Sequence, residues 1–187
     1  MSGAATAFQS EGVDFSFEPH LSSGLDALIR FKLKDRFSLQ SGISAIRRSY
    51  NYGISTDTLG FSGSLIQTSF QIPITGLLQV QISDKMNVGT EVGLVAEIFP
   101  GDVAAGDEDH YALIYVQRRF KSSLKASALT NYELESGAKL EFGLTYQRLL
   151  GRLGSFYLDY EGAANTISTR TDLQGHFFSA NIAFFFP

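Results

Sequence analysis

Three histidines, one acidic cluster and a scatter of charges inside alternating segments are the places where this chain could do chemistry. His20, His110 and His176 could act as general bases if a serine and an orienting carboxylate stood beside them. Asp109 adjoins His110, and Gly175 precedes His176, but no nucleophile–base spacing ties either histidine to a serine. These histidines are read as girdle or loop residues, and catalysis is not expected. Asp102, Asp107, Glu108 and Asp109 form an acidic stretch. Calcium loops set carboxylate and carbonyl oxygens in a fixed order around a glycine, which this stretch lacks. A solvated loop is the expectation. The chain has no cysteine, so disulfides, thiolate metal sites and thiol nucleophiles are excluded. No cofactor or metal is expected. Tyr50 and Tyr52 follow Arg47 and Arg48 in RRSYNYG, a pattern suited to a lipid headgroup region.

The remaining charges are informative through their placement. Arg30 and Lys32 alternate with Ile29, Phe31 and Leu33; Glu91 and Glu97 alternate with Val92, Leu94 and Ile98. Glu141 stands between Leu140 and Phe142, and Asp159 and Glu161 alternate with Leu158 and Tyr160. Period-two alternation is the signature of strands with two different faces. One face of each segment carries large apolar side chains; the other carries Gly, Ser, Thr, Asn, Gln and a few charges of both signs. A soluble sheet usually fills its polar face with Lys and Glu. Small polar residues suit the crowded interior of a narrow closed barrel, where opposite charges pair. Arg30, Lys32, Glu91, Glu141, Asp159 and Glu161 are therefore expected to form a charge network in a filled lumen.

Composition agrees. The 187 residues suit one domain, spanning 1–187, with 1–12 a flexible N-terminal segment. Mean hydropathy is +0.02, and no apolar run approaches the length of a spanning helix. A membrane barrel has this intermediate hydropathy because only every second residue meets lipid. Net charge is −4 with no basic run beyond Arg47-Arg48 and Arg118-Arg119, which argues against a nucleic-acid partner. Ala5-Thr6-Ala7 has the small-x-small form of a signal-cleavage region, without a charged and apolar stretch ahead of it.

Ten strand-length segments are expected: 13–19, 25–33, 36–48, 64–82, 87–99, 111–120, 124–134, 139–150, 156–162 and the C-terminal stretch. The expected fold is all-β, a closed antiparallel transmembrane β-barrel. Ten strands is the best count, and eight is the alternative, with 111–120 and 156–162 as loop extensions. Short turns (KDR, SDK) would face the periplasm; the longer connections 47–63, 100–109 and 162–175 would lie outside the cell. The last strand is expected to close against VDFSFEP. Pro73 should sit at a bulge or bend, because it cannot donate to a ladder.

The C-terminal stretch HFFSANIAFFFP sets Ile182, Phe184 and Phe186 on one face. This ending is similar to the signal read by the bacterial outer-membrane assembly machinery, although Pro187 follows the last Phe. SFQIPITGLLQVQISDKMNVGTEVG and LIRFKLKDRFSLQSGIS resemble paired strands of the PorT-like outer-membrane barrels of Bacteroidota, a likeness loosely covering 25–187. It implies a small barrel in the bacterial outer membrane, in contact with outer-membrane lipid, the assembly machinery and other envelope proteins. The expected function is a non-enzymatic scaffold, adhesion or complex-subunit role. A narrow solute passage and a lipid-modifying enzyme are the alternatives.

Overall fold

A computed structural model describes residues 6–10, 13–56, 60–106, 110–161 and 166–186. The described residues form antiparallel strands and no helix: β1 (Thr6–Ser10), β2 (Val13–Lys32), β3 (Phe37–Thr56), β4 (Gly60–Ser83), β5 (Met86–Ile98) and β6 (Val103–Gly106) in the first half. β7 (His110–Tyr115), β8 (Phe120–Glu133), β9 (Lys139–Leu149), β10 (Arg152–Glu161), β11 (Thr166–Gln174) and β12 (Phe177–Phe185) follow.

Eight strands make the main sheet, in the order β1-β2-β3-β4-β5-β8-β9-β12, and β11-β10-β7-β6 make a second sheet. The segments YALIYV and FYLDYEG therefore leave the main sheet, as in the eight-strand arrangement. The stretch 162–175 contributes β11, paired with β10 along its whole length, where a loop was expected. Within 1–12, residues 6–10 are a paired strand, β1.

The two N-terminal segments 13–19 and 25–33 are one strand, β2. Its register against β3 shifts by one residue between His20 and Ser23. Such a bulge moves every following side chain to the opposite face. Odd-numbered Phe15 and Phe17 point into the molecule above the bulge, while odd-numbered Leu25, Ile29 and Phe31 are exposed below it. One apolar alternation thus changes sides midway along a strand.

Three tight connections lie at the same end of the main sheet, joining β2 to β3, β4 to β5 and β8 to β9. In the third, Leu134 N–H donates to the Ala138 carbonyl (2.8 Å), and Gly137 takes φ +81°, which a side chain would resist. Pro73 pairs in register with Val95 of β5, but on its other side the β3 pairing lapses between Ser41–Ile74 and Ser44–Gln71. Gly42 stands in that lapse at φ +153°, where an added Cβ would run into the Ala27 carbonyl oxygen. A missing donor and a missing side chain thus coincide at the break in the β3–β4 ladder.

The strands are long. β2 and β3 have 20 residues each and β4 has 24, against the 9–11 that a membrane crossing takes. Their far ends and the second sheet enclose an apolar core containing Phe15, Phe17, Tyr52, Ile54, Phe99 and Leu158. Phe17 stacks on Tyr50 at 5.2 Å and meets Phe156 at 4.2 Å. Phe156 and Leu158 were expected on a lipid-facing surface; here they are core residues, because β10 packs its apolar face onto the upper ends of β2 and β3.

Candidate functional site: the polar lumen

Below this core the polarity of the interior reverses. Gln40, Ser44, Ser69, Thr75, Glu91 and Asn131 point inward and are buried, while the outer face of the same strands carries exposed Leu, Ile, Val and Phe. Period two explains the placement. In β4, inward Gln67, Ser69, Gln71, Pro73 and Thr75 alternate with outward Phe70, Ile72 and Ile74.

Two layers of charge fill the lumen. In the lower, the Arg30 guanidinium donates to Glu141 at 2.8 Å and to Gln40 Oε1 at 2.6 Å. Gln40 Nε2 donates to Glu91 Oε1 at 2.9 Å, and the same oxygen accepts from Thr75 Oγ1 (2.5 Å) and Lys125 Nζ (3.1 Å). This chain of contacts joins β9, β2, β3, β4, β5 and β8. Arg30 also lies over the Phe185 ring at 4.1 Å, so the sheet curls until its first and last long strands meet through side chains.

In the upper layer, Arg48 Nη2 meets Glu97 Oε1 at 2.6 Å, with side-chain exposures of 4% and 0%. Ser69 Oγ accepts from Arg48 and donates to Glu97, both at 2.7 Å, and Ser123 donates to the other carboxylate oxygen at 3.3 Å. The Arg48 guanidinium sits 5.1 Å from the Phe177 ring and 5.5 Å from that of Phe99, where the polar lumen meets the apolar core. Each layer balances its charges: Arg30 and Lys125 against Glu91 and Glu141, and Arg48 against Glu97. Burial of these ions is tolerable because each carboxylate holds a cation, and Glu91 and Glu97 hold further donors.

Of the residues singled out from sequence, Arg30, Glu91 and Glu141 come together. Lys32 does not; it is exposed at the β2–β3 hairpin, 3.7 Å from Asp35. Asp159 and Glu161 do not either. They lie on the face of β10 turned away from the core, since the alternation that buries Phe156 and Leu158 points them outward. Arg48, Lys125, Gln40 and Thr75 are participants absent from that set. Alternation carried a signal for Lys125, which shares a face with Ser127 and Asn131, and Glu97 was already on the polar face of its segment. Ile182, Phe184 and Phe186 are exposed on the outer face of the last strand.

The histidines are scattered. His20 is exposed at the β2 bulge, His176 lies between β11 and β12, and His110 Nε2 is 3.3 Å from Tyr52 Oη among aromatic rings. Tyr50 and Tyr52 are core residues here, drawn inward by the same face of β3 that carries Arg48. Asp102 Oδ1 accepts from Val116 N–H at 2.7 Å; Asp107, Glu108 and Asp109 lie outside the described residues. No group of three potential ligands able to hold a metal occurs among the described residues.

Glu91 gathers three donors, so its removal strands them in the interior. Glu91→Ala is expected to lower the unfolding temperature in detergent clearly, and Glu91→Gln less, because the amide can still accept. Equal midpoints for the two variants would show that the carboxylate is not the organising acceptor.

Searches against protein-family models, curated proteins and solved structures find no match to this chain.

Proposed function

We infer that this protein is a small outer-membrane β-barrel with a filled lumen, acting without enzymatic chemistry as an envelope scaffold, adhesin or complex subunit through its projecting upper sheets. The observation that carries the reading is the exchange of polarity along single strands. Above the β2 bulge the outside is polar, with Asp14, Ser16, Glu18, Asn51 and Ser55 exposed, and the inside is aromatic. Below it the outside is apolar and the inside mostly polar, with Leu77, Val95 and Leu129 the buried apolar exceptions. In water the lower half would expose its oil and bury its charge, the opposite of what the hydrophobic effect favours. A chain that meets water above and hydrocarbon below satisfies both halves.

Dimensions support this. On β8 the outward positions run from Phe120 to Tyr132, both exposed aromatics. Twelve residue steps make about 40 Å along a strand. At the roughly 40° tilt usual in barrels this is about 30 Å of height, the thickness of a bilayer's hydrocarbon core, with aromatics at both margins. The likeness of 25–187 to PorT-like barrels is in keeping with the same reading. The charge-balanced layers argue for a plug, against a solute passage, and the projecting sheets offer the surface for envelope partners.

The test is access to a lipid-soluble quencher in the reconstituted protein. Labels at Phe31, Val80 and Phe142 should be quenched, and labels at Gln40, Thr75 and Asn131 protected. Unboiled protein should migrate anomalously on a detergent gel, and planar bilayers should show no steady pore of porin size. Equal quenching of both sets would end the membrane reading; a stable large conductance would replace the plugged lumen with a transport path.

A further inference from the structure

The main sheet has two unsatisfied edges that face each other. Counting along β2-β3-β4-β5-β8-β9-β12, every neighbour is antiparallel, so the seventh strand runs in the same direction as the first. Closing β12 directly onto β2 would need a parallel junction, and among the described residues no ladder joins them. The expected closure of the last strand on VDFSFEP is therefore not what forms. That part of β2 is taken by β1, which pairs Thr6 with Phe17 and Ser10 with Val13.

Burial marks the same gap. Inward residues of β9, which has neighbours on both sides, are buried: Glu141, Gly143, Thr145 and Gln147. Inward residues of β12 (Ser179, Asn181, Ala183) are only half-buried, and Gly24 and Asp26 of lower β2 are exposed. Asp26 forms no ion pair among the described residues, although it faces inward opposite Ser44. Arg30 reaches across this side of the lumen to Glu141 and Phe185.

We propose that the slot between lower β2 and β12 takes one further strand, antiparallel to both, supplied in line with β1 by polypeptide joined to its amino end. Parity requires that direction, and β1 already runs that way along upper β2. Its backward line follows Ser23–Lys32. The strand would turn apolar side chains outward to match Leu25, Ile29, Phe178 and Ile182. Inward it would carry small or polar side chains, with a donor for Asp26. It would complete an even, eight-stranded antiparallel barrel and pair every edge amide, which hydrocarbon demands.

The inference rests on the barrel reading, but its test can fail separately. In protein extracted from its native membrane, amides of Ser23–Lys32 and Phe177–Phe185 should exchange as slowly as those of β4 and β5. The denatured polypeptide should have an intact mass above that of the 187-residue chain. Fast exchange at both edges would overturn the proposal, as would protection by a separate polypeptide that dissociates on denaturation. Direct closure is checked with cysteines, of which the chain has none. One is placed at Leu25, Ile29 or Phe31 and another at Phe178, Ile182 or Phe184. Two edges flanking a strand stand about 9.6 Å apart, beyond disulfide reach. A bismaleimide of that span should link them, and a disulfide in any pair would sink the idea. Failure of the membrane reading would show instead as equal quenching of both faces, whatever the edges do.

Discussion

Arg48→Ala is expected to cost about 3–5 kcal/mol of folding stability, because it leaves Glu97 buried with no cation. Glu97 is wholly enclosed, and its remaining donors are the hydroxyls of Ser69 and Ser123. The substitution also removes the guanidinium wedged between Phe99 and Phe177, where the lumen gives way to the aromatic core. Neutralising both partners should recover most of the loss. In the double variant Arg48→Met, Glu97→Gln, the amide keeps the serine contacts and no net charge is buried. Denaturant unfolding of the vesicle-reconstituted protein measures both variants. A single-variant loss below about 1 kcal/mol would mean that the pair behaves like an exposed one, and that the lumen is wide and wet.

Val92→Arg distinguishes the solvent that meets the outer face of the main sheet. Val92 lies midway along β5 with its side chain 62% exposed. In hydrocarbon an outward arginine at the midplane costs about 2–4 kcal/mol, falling to about 0–1 near the interfaces. In water the same change on an exposed strand face stays within about 0.5 kcal/mol. Ser55→Arg, on the exposed outer face of upper β3, is the matched control and should be neutral. A neutral Val92→Arg would remove the bilayer from the account; a penalty at both positions would place the upper sheets in lipid too.

Neither effect depends on a particular partner, since both follow from which atoms are enclosed. The lumen needs its charges balanced because they are buried, and the apolar outer face of the lower strands is covered by no other element among the described residues. A function carried by the projecting sheets, as proposed, would leave both conditions untouched.

The all-β character, the sharing of faces within each strand and the positions of the tight hairpins can all be read from the residues alone. These are local properties: period two, β-branched and aromatic content, and short charged turns act within a few residues. Alternation alone placed Arg30, Glu91 and Glu141 on polar faces, and the structure joins them through Gln40. It equally placed Asp159 and Glu161 opposite Phe156 and Leu158, but a face has no inside until it is packed. It is packing that turns the apolar side of β10 to a core and that of β9 outward. The same holds for β2, where Phe17 and Phe31 both stand at odd-numbered apolar positions of one strand. A one-residue bulge between His20 and Ser23 sends the first inward and the second outward. Inside and outside are long-range quantities, set by which strands curl around which. No short window of sequence contains them.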